Sequence, residues 1–275
     1  MNTVCLTKRI EFAAAHRYHR DAWDAARNRA IFGACNNAPG HGHNYLLEVT
    51  VAGKVDDHTG MVVNLYDLKR VLKEVLRDFD HKHLNHDTPY FTDLIPTTEN
   101  IAGVLWGILA TRPEIGTLKT VRLLEDEDLS AEIREETGLR HAQVTRRYEF
   151  SAAHRLHSDR ISDADNERLY GKCHRPSGHD YDVFVTVAGP IDRETGMVVD
   201  LSALDRLVNE RVIERFDHRD LTQDPALSGR VATGEHIVKL IWELLVDALP
   251  GGSLAVVKLG ETRDSLFEYR GGAGG

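Results

Sequence analysis

Three histidines in the N-terminal half have the types and the spacing of a metal site. His41 and His43 are separated by one glycine, and His16 lies upstream in the block Ala14-Ala15-His16. If residues 41–43 are extended, the side chains at i and i+2 point to the same face, so both imidazoles can reach one ion. A third imidazole from another strand would leave a fourth position open, which is typical of a catalytic rather than a structural Zn²⁺ site. The spacing predicts a zinc centre at His16, His41 and His43.

The C-terminal half repeats this pattern with one ligand changed. His154 and His179 repeat two of the three histidines, whereas Ser177 stands in the place of the third. Three alternatives stay open: His157 or His174 supplies the missing ligand, the second site binds metal weakly, or it is inactive. If this half binds an ion, we expect His154 and His179 among its ligands.

Each half also carries one cysteine shortly before its histidines, Cys35 and Cys173. A buried structural thiol is the usual role of a single cysteine. Beside a cation, however, a thiolate is electrostatically favoured and can act as a base. Both cysteines are therefore candidate catalytic residues.

Two Asp-His pairs, Asp80-His81 and Asp217-His218, lie at the ends of predicted amphipathic helices. In the simpler interpretation each pair ends its helix, with the histidine near the negative end of the helix dipole. In the functional interpretation the aspartate and the histidine polarise the cysteine from across the site. All four residues are kept as catalytic candidates.

Glutamates end the third predicted strand of each half, at Glu125 and Glu261. Such a residue is either simply exposed or lies at a pocket mouth, where its two oxygens can accept from two N–H donors of a planar amino-amide group. Thr97 and Glu99 stand at a helix start, where the helix dipole favours an acid. We retain these four residues as substrate-binding candidates.

The chain is a tandem duplication. The block around His16 returns around His154 at an offset of 138 residues, and Phe79-Asp80-His81 returns at an offset of 137 as Phe216-Asp217-His218. Gly60-Met61-Val62 returns at an offset of 136. Offsets this steady predict two homologous domains, residues 1–138 with a complete site and residues 139–275 with a metal site altered at Ser177.

Both halves have the same order of predicted elements: strand, strand, helix, helix, strand, strand. The predicted strands are residues 4–12, 45–53 and 118–124 in the first half and 144–150, 181–189, 254–259 and 266–269 in the second. The second helices cover residues 99–109 and 235–249, and Asn64 and Asp200 are the predicted N-caps of the first helices. Residues 130–133 offer little apolar alternation for a fourth strand, and residues 271–275 are a predicted flexible tail. This order predicts an α+β fold, with a four-stranded antiparallel sheet and two helices (ββααββ) in each domain.

Composition, net charge and cysteine count limit the classes of protein to which the chain can belong. The 275 residues are 41% hydrophobic and 28% charged, which is typical of a globular protein, and a net charge of −9 argues against a nucleic-acid partner. No apolar run is long enough to span a membrane, and no secretory signal is expected at the N-terminus. Three cysteines are too few for a disulfide framework, so the predicted location is the cytoplasm.

These blocks together resemble the 6-pyruvoyltetrahydropterin synthase / 6-carboxytetrahydropterin synthase family, over nearly the whole of each half. The resemblance lies in seven ordered blocks: Ala14-Ala15-His16, Phe32-Gly33-Ala34-Cys35-Asn36-Asn37, Gly40-His41-Gly42-His43-Asn44-Tyr45, Gly60-Met61-Val62, Asp80-His81-Lys82-His83-Leu84-Asn85, Pro96-Thr97-Thr98-Glu99-Asn100 and Glu125.

The resemblance implies a tunnelling fold, in which sheets assemble side by side into barrels. Members of the family are typically hexamers of single domains, so we expect a homo-oligomer of six domains, for which a trimer of this chain would suffice. The three N-terminal histidines would hold Zn²⁺, and Glu125 would anchor a pterin ring. Cys35, Asp80 and His81 would form the proton-transfer set.

The family's substrate is 7,8-dihydroneopterin triphosphate. Elimination of triphosphate gives 6-pyruvoyltetrahydropterin, on the route to tetrahydrobiopterin, whereas carbon–carbon cleavage gives 6-carboxytetrahydropterin, the queuosine-pathway intermediate. The spacing from Cys35 to His41 is that of the pyruvoyl-forming enzymes, whereas Cys173 to Ser177 has the shorter spacing of the carboxy-forming ones. Both products stay open.

Two other functions are compatible with these residues. The C-terminal copy could be a non-catalytic scaffold that binds pterin or completes the barrel. The whole chain could instead bind pterin or metal without chemistry, which the complete histidine, cysteine and Asp-His set of the first copy disfavours. A metalloprotease is disfavoured because no His-Glu-x-x-His sequence occurs.

Overall fold

The structure, a computed structural model, describes residues 3–272 and divides into two compact units. Unit 1 comprises Met1–Thr145 and Ala188–Ser202, and unit 2 comprises Arg146–Val187 and Ala203–Gly275. The units differ from the predicted repeats because residues 188–202, which lie in the second repeat, pack as part of unit 1. The boundary of the repeats at residues 138/139 stays a prediction.

Unit 1 contains five strands that pair in the order β5-β4-β2-β1-β3. The strands are β1 (Thr3–His16), β2 (His41–Lys54), β3 (Lys82–His83), β4 (Thr117–Leu124) and β5 (Leu129–Arg134). The pairs β1–β2, β2–β4 and β4–β5 are antiparallel, whereas the two-residue β3 pairs with β1 in parallel. The sheet is therefore mixed, and not purely antiparallel as the sequence predicted.

Four α-helices are described in the first half of the chain, α1 (Ala25–Phe32), α2 (Leu65–Leu76), α3 (Leu84–Asp87) and α4 (Thr98–Leu109). As predicted, the Asn64 side chain caps α2 by accepting from the Tyr66 N–H. The apolar face of α2 is buried (Leu68, Val71, Leu72, Val75 and Leu76), and α4 packs on β4 and β5. These helices pack their apolar faces against the sheet.

Most of β6 (His141–His154) and β7 (Ser177–Pro190) belongs to unit 2, together with β8 (Arg219–Asp220), β9 (Ser253–Thr262) and β10 (Ser265–Tyr269). The order is β10-β9-β7-β6, and β8 pairs with β6 in parallel. Its helices are α5 (Asp163–Tyr170), α6 (Leu201–Val208), α7 (Glu214–Phe216) and α8 (Gly234–Leu245). Unit 2 therefore repeats the arrangement of unit 1, including the short parallel strand.

Several predicted elements differ from the observed ones. The first and second strands of each half are longer than predicted and include the candidate ligands His16, His41 and His43 within them. The segment Leu129–Arg134 is a strand despite its weak alternation: Leu129, Ala131 and Ile133 are buried, and the segment pairs with β4 and packs near α4. Helices α1 and α5 were not predicted, since their sequences are polar and have no clear apolar stripe.

The irregular helical spacing between residues 201 and 216 has a structural cause. One π-helical turn, Asn209–Ile213, separates α6 from α7. The wider turn shifts the phase of the apolar residues, so Phe216 is buried although it departs from the spacing of α6. The predicted tail, residues 271–275, lies mostly outside the described residues. No helix among residues 3–272 is long and apolar enough to cross a membrane.

Candidate metal centre and substrate pocket

The register of β1 and β2 brings the three N-terminal histidines to one place. His16 pairs directly with His41, and Ala14 pairs with His43. His41 and His43 are two residues apart on one strand, so their side chains share a face. A Cβ atom at Gly42 would lie 3.0 Å from Ala14 O, so the glycine permits the close approach of the two strands that the sequence predicted. The structure thus brings His16, His41 and His43 together.

The ligand atoms of these histidines and of Glu125 lie within 4.8 Å of one another, and this group is called the metal centre below. His16 Nε2 lies 3.2 Å from His41 Nε2, and His43 Nε2 lies 3.3 Å from Glu125 Oε1. His16 and Glu125 are buried, with 0% and 5% exposure. Glutamate is thus a fourth possible ligand, which the sequence assigned only to substrate binding.

The surroundings of His16 keep it neutral and orient its ring. His16 Nδ1–H donates to Pro96 O over 2.9 Å and lies 3.1 Å from the Tyr45 hydroxyl. Because the carbonyl can only accept, the proton is on Nδ1 and the lone pair of Nε2 faces His41. Burial lowers the pKa of His16 to about 3, with further lowering from the neighbouring histidines. A neutral imidazole held by a hydrogen bond from its other nitrogen is the form that binds a metal.

His41 and His43 also have properties expected of metal ligands. Burial, and then His43, lowers the pKa of His41. His43 Nε2 is buried and has no hydrogen-bond partner within residues 3–272. Such an atom is costly unless something binds its lone pair or its proton. Three imidazoles and one carboxylate form a donor set that fits Zn²⁺, so the residues present fit the expected group.

Glu125 is buried among polar side chains. Its Oε2 accepts hydrogen bonds from the Thr98 hydroxyl at 2.5 Å and the Tyr18 hydroxyl at 3.3 Å. Burial raises the pKa of Glu125, and the Thr98 hydrogen bond opposes this rise. Burial, and then Glu125, also raises the pKa of Tyr18. The sequence analysis did not single out Tyr18, Tyr45 or Thr98, because isolated hydroxyl residues have no spacing that marks them.

Cys35 lies beside Tyr18, a residue that donates a hydrogen bond to Glu125. It packs, half-buried, against a cluster formed by Tyr18, Phe32, Ile95 and Met197, and its carbonyl accepts from Tyr18 N over 2.9 Å. Through Tyr18, the cysteine is thus connected to the Glu125 carboxylate. Its counterpart Cys173 has the same backbone contact, with Leu156 N.

Asp80 lies against β1, and His81 lines a cavity together with His43. The Asp80 carboxylate accepts from Ala13 N at 3.0 Å and lies 2.9 Å from His81 Nδ1. Asp80 has a lowered pKa, first because of the Ala13 N–H, so it is ionised. The exposed His81 has φ of 57° and lines a cavity of about 470 Å³ together with His43. Asp217 and His218 repeat this geometry, with Ser151 N donating to Asp217 and φ of 55° at His218.

Thr97 and Glu99 are buried against residues of the second repeat. Thr97 Oγ1 donates to Gly196 O over 2.6 Å, and Val198 N donates to Glu99 Oε1 over 3.1 Å. Burial raises the pKa of Glu99 to about 7, while the N–H donors oppose the rise. The simple expectation that Glu99 only stabilises the helix start is incomplete, because Glu99 also binds the 188–202 segment.

The second half assembles a smaller cluster. Ligand atoms of His154, His179 and Glu261 lie within 4.8 Å of one another. His154 Nδ1–H donates to Ala232 O over 2.8 Å, as His16 does to Pro96. Glu261 is more exposed than Glu125, at 18% against 5% for the side chains.

The missing third histidine of this half is not replaced. His157 and His174 form a separate cluster with Asp163, and Arg155 Nη2 donates to both imidazoles over 3.2 Å. The alternative that one of them joins His154 and His179 is therefore wrong. One ring nitrogen of each, His157 Nδ1 and His174 Nε2, contacts Arg155.

Comparisons with known proteins extend over both halves of the chain. The sequence model of a family described as 6-pyruvoyl tetrahydropterin synthase matches residues 5–136 and 143–272. The 6-pyruvoyl tetrahydrobiopterin synthase of Homo sapiens is 43% identical over 124 residues, which are 45% of this chain and 86% of the human protein. An Archaeoglobus fulgidus protein provisionally named 6-carboxy-5,6,7,8-tetrahydropterin synthase is 40% identical over 110 residues, which are 38% of this chain and 89% of that protein.

One solved structure was also compared, that of Caenorhabditis elegans 6-pyruvoyl tetrahydropterin synthase. It aligns with a TM-score of 0.46 at 33% identity, and covers 49% of this chain and 96% of its own. Each relative thus corresponds in length to about one half of this chain.

Proposed function

The chain belongs to the 6-pyruvoyl tetrahydropterin synthase family, and on that premise we propose that it is a zinc-dependent pterin synthase active in its first repeat. The observation that carries the proposal is the convergence of ligand atoms of His16, His41, His43 and Glu125 within 4.8 Å of one another. Its substrate would be 7,8-dihydroneopterin triphosphate.

We assign His16, His41 and His43 as the zinc ligands. The neutral state of His16 and the unpartnered His43 Nε2 support this assignment. When bound, the ion would withdraw electron density from the hydroxyl groups of the substrate side chain and make adjacent protons more acidic. Glu125 stays close enough to influence the charge of the centre.

We assign Glu125 as the anchor of the pterin ring. Its oxygens can accept from the 2-amino group and from N3–H, in the planar two-point geometry that carboxylates favour. Thr98 and Tyr18 hold the carboxylate in place through Oε2. Thr97 and Glu99 would contact the substrate from the same end, Glu99 through the oxygen that Val198 does not bind.

We assign Cys35, Asp80 and His81 to proton transfer. The thiolate of Cys35 would accept a proton from the substrate side chain, and His81, held by ionised Asp80, would donate and accept protons on the side of His43. The contact of Cys35 with Tyr18 and the cavity shared by His81 and His43 support the assignment of these residues. The Asp80 carboxylate, 2.9 Å from His81 Nδ1, would orient the imidazole for proton transfer.

The proposed reaction is elimination of triphosphate to 6-pyruvoyltetrahydropterin, a lyase reaction on the route to tetrahydrobiopterin. Formation of 6-carboxytetrahydropterin, the queuosine-pathway product, is the second candidate. The archaeal relative and the short spacing from Cys173 to Ser177 favour it.

For the second repeat we propose the same residue roles, with weaker metal binding than in the first repeat. His154 and His179 would be its metal ligands, Glu261 its pterin anchor, and Cys173, Asp217 and His218 its proton-transfer set. The alternative is that this copy is a scaffold that binds pterin or completes a barrel. The loss of one histidine at Ser177 supports the scaffold alternative, whereas the retained Glu261 and Asp217 support binding or chemistry.

We propose two domains, residues 1–138 and 139–275, each a tunnelling-fold domain built on a ββααββ core. Six such domains would form the oligomer, for example as three chains, in the cytoplasm. Small pterins would be the partners, without nucleic acid or membrane.

The decisive test is incubation of the purified, zinc-loaded protein with dihydroneopterin triphosphate, with the product identified by mass. The expected product is 6-pyruvoyltetrahydropterin. Formation of 6-carboxytetrahydropterin would instead support the second candidate reaction. Unchanged substrate with wild-type zinc content would reject the enzyme proposal.

A further inference from the structure

A second group of metal-ligating side chains lies in unit 2, apart from the pair His154 and His179. Ligand atoms of His157, Asp163 and His174 lie within 4.8 Å of one another, and this group is called the histidine–aspartate cluster below. The two histidines are half-buried, whereas Asp163 is exposed. The proposed reaction uses none of these three residues, so it does not explain why they lie together.

The hydrogen bonds of the two imidazoles fix the positions of their protons. Arg155 Nη2 lies 3.2 Å from His157 Nδ1 and 3.2 Å from His174 Nε2. Because a guanidinium can only donate, both of these nitrogens carry a lone pair, and the ring protons are on the opposite nitrogens. Both histidines are therefore neutral, and their lone pairs point to one place.

The opposite ring nitrogens have the partners that are typical of metal-binding histidines. His157 Nε2 lies 3.2 Å from a carboxylate oxygen of Asp159, and His174 Nδ1 donates to Leu156 O over 3.3 Å. An imidazole that binds a metal almost always donates its other N–H to a carboxylate, a backbone carbonyl or a water, which fixes the tautomer and the orientation of the ring. Both rings thus have the tautomer and the orientation that a bound cation needs.

A cationic group lies where the two lone pairs meet. The Arg155 guanidinium is held there by its Nε, which donates to His174 O over 2.9 Å. The backbone is held separately, since Arg155 N donates to Thr222 Oγ1 over 3.0 Å. The long side chain can therefore rotate away without moving the backbone. A divalent ion attracts two lone pairs and a carboxylate more strongly than a singly charged, delocalised guanidinium does.

Asp163 supplies the third donor and a negative charge. It is the first residue of α5, directly after the N-cap Ser162. Its carboxylate makes no hydrogen bond or ion pair within the described residues 3–272. Two imidazoles and one carboxylate form a donor set that Zn²⁺ and related borderline ions accept, with a further position left for water.

The first repeat lacks two of the three donors. At an offset of 138 residues, Asn36 and Ala25 stand at the places of His174 and Asp163, and only a histidine, His19, is kept. Asn36 Nδ2 donates to His19 Nδ1 over 2.9 Å, so an amide binds the lone pair that a guanidinium binds in the second repeat. The cluster therefore belongs to the second repeat alone, and His19 provides a matched control.

We propose that the histidine–aspartate cluster binds a borderline divalent ion such as Zn²⁺, and that the ion displaces the Arg155 guanidinium. The ion joins the segment after β6 to the first turn of α5 and to the turn before β7. Because the guanidinium competes for the same lone pairs, the ion is held more weakly than at the metal centre and is lost on dialysis. This inference goes beyond the pterin synthase reaction and does not depend on it.

The test is a titration of the full-length, zinc-loaded and dialysed chain with Co²⁺, followed by visible absorption. Zinc occupies the metal centre, and the d–d absorption of Co²⁺ reports on its ligands and geometry. We expect saturable binding of a Co²⁺ ion. His157→Ala should weaken this binding at least about tenfold, since loss of a mere hydrogen-bond partner of a ligand already costs that much. His19→Ala, at the matching position of the first repeat, and His179→Ala, in the neighbouring cluster, should leave it unchanged.

Two further variants test the carboxylate and the guanidinium. Asp163→Ala changes an exposed side chain and should also weaken Co²⁺ binding, without a risk to folding. Arg155→Met keeps the aliphatic stem and removes the competing donors. It should strengthen Co²⁺ binding about tenfold, which corresponds to one or two net hydrogen bonds.

Several outcomes would overturn the proposal. These are no Co²⁺ binding by the zinc-loaded chain, an equal loss in His19→Ala and His157→Ala, or a loss in His179→Ala with none in His157→Ala. Unchanged binding in Arg155→Met would overturn the displacement of the guanidinium. A chain that binds Co²⁺ as expected but leaves dihydroneopterin triphosphate unchanged would reject the proposed reaction and support this site.

Discussion

The backbone N–H of Val198 donates to Glu99 Oε1 over 3.1 Å, which joins a residue of the second repeat to a buried carboxylate of the first. Glu99 has 1% exposure, and burial raises its pKa to about 7. Helix α4 of the first repeat and the 188–202 segment therefore enclose the Glu99 carboxyl together. The pH at which Glu99 becomes charged depends on its burial in that contact, so the pH dependence of stability can test whether the contact exists.

Stability should fall as the pH rises toward neutrality because of Glu99. The folded carboxyl keeps its proton up to about pH 7, whereas the unfolded one loses it near 4.5, so unfolding releases a proton between these values. The contribution of Glu99 to the free energy of unfolding should therefore decrease by about 3 kcal/mol over this window and level off above it. The lowered pKa of His16 changes the free energy in the opposite direction. Urea denaturation from pH 4 to pH 8 with a chelator present measures this.

Glu99→Gln is the matched control, since the amide keeps an acceptor for Val198 N but does not titrate. The difference between the two proteins isolates Glu99, because the titration of His16 and of other groups is common to both. Parallel stability curves over the whole pH range would contradict the assignment.

Zinc binding should depend on the first repeat. His41→Ala removes one of three imidazoles, and loss of a mere hydrogen-bond partner of a ligand already costs about 10–100-fold in metal affinity. We expect at least a 100-fold weaker zinc affinity and loss of turnover, measured by competition with a chromophoric chelator and by product formation. His179→Ala in the second repeat should retain about one zinc per chain and nearly wild-type turnover. Unchanged zinc content and turnover in His41→Ala would be incompatible with the proposed centre.

The Tyr45 hydroxyl, 3.1 Å from His16 Nδ1, offers a milder perturbation. Tyr45→Phe keeps the ring and removes one contact of the imidazole. Zinc affinity should fall by about tenfold, less than in His41→Ala. An effect as large as that of His41→Ala would mean that the hydroxyl does more than orient His16.

Cys35 and Cys173 distinguish an active second repeat from a scaffold. Loss of a proton-transfer group typically costs 10²–10⁴-fold in rate. Cys35→Ala should therefore lower kcat by about this factor with zinc content unchanged, whereas Cys173→Ala should change kcat by less than about twofold if the second repeat is a scaffold. Steady-state kinetics with metal analysis of the same samples gives both values. Equal losses in the two variants would show that both repeats turn over.

The histidine pair at residues 41 and 43 was predictable because a strand places i and i+2 on one face, and the duplication identified His16 as its partner. The position of Glu125 within the metal centre was not predictable. It depends on the pairing of β2 with β4, where Leu46 lies opposite Leu124, the residue before Glu125. A register of this kind is fixed by long-range packing, which one sequence does not specify.

The contact of residues 188–202 with Thr97 and Glu99 could also not be predicted from the sequence. Gly60-Met61-Val62 and Gly196-Met197-Val198 are identical, yet one is exposed and the other is buried beside Thr97. Identical local chemistry thus acquires two environments through tertiary contacts alone. For the same reason, composition and spacing could not show that Glu99 lies at a helix start and also binds the 188–202 segment.

The altered second cluster makes a gain-of-function prediction. Ser177 is the first residue of β7 and stands where His41 stands in β2, two residues before the histidine that both clusters retain. Ser177→His should therefore restore a three-histidine set with His154 and His179, and raise the zinc content from about one to about two ions per chain. Elemental analysis after dialysis measures this, and Ser177→Asn, which is polar but a poorer zinc ligand, is the control. If the histidine variant gains no zinc, the strand positions of the two repeats are not equivalent at this site, and the weak binding of the second repeat has a cause other than its missing imidazole.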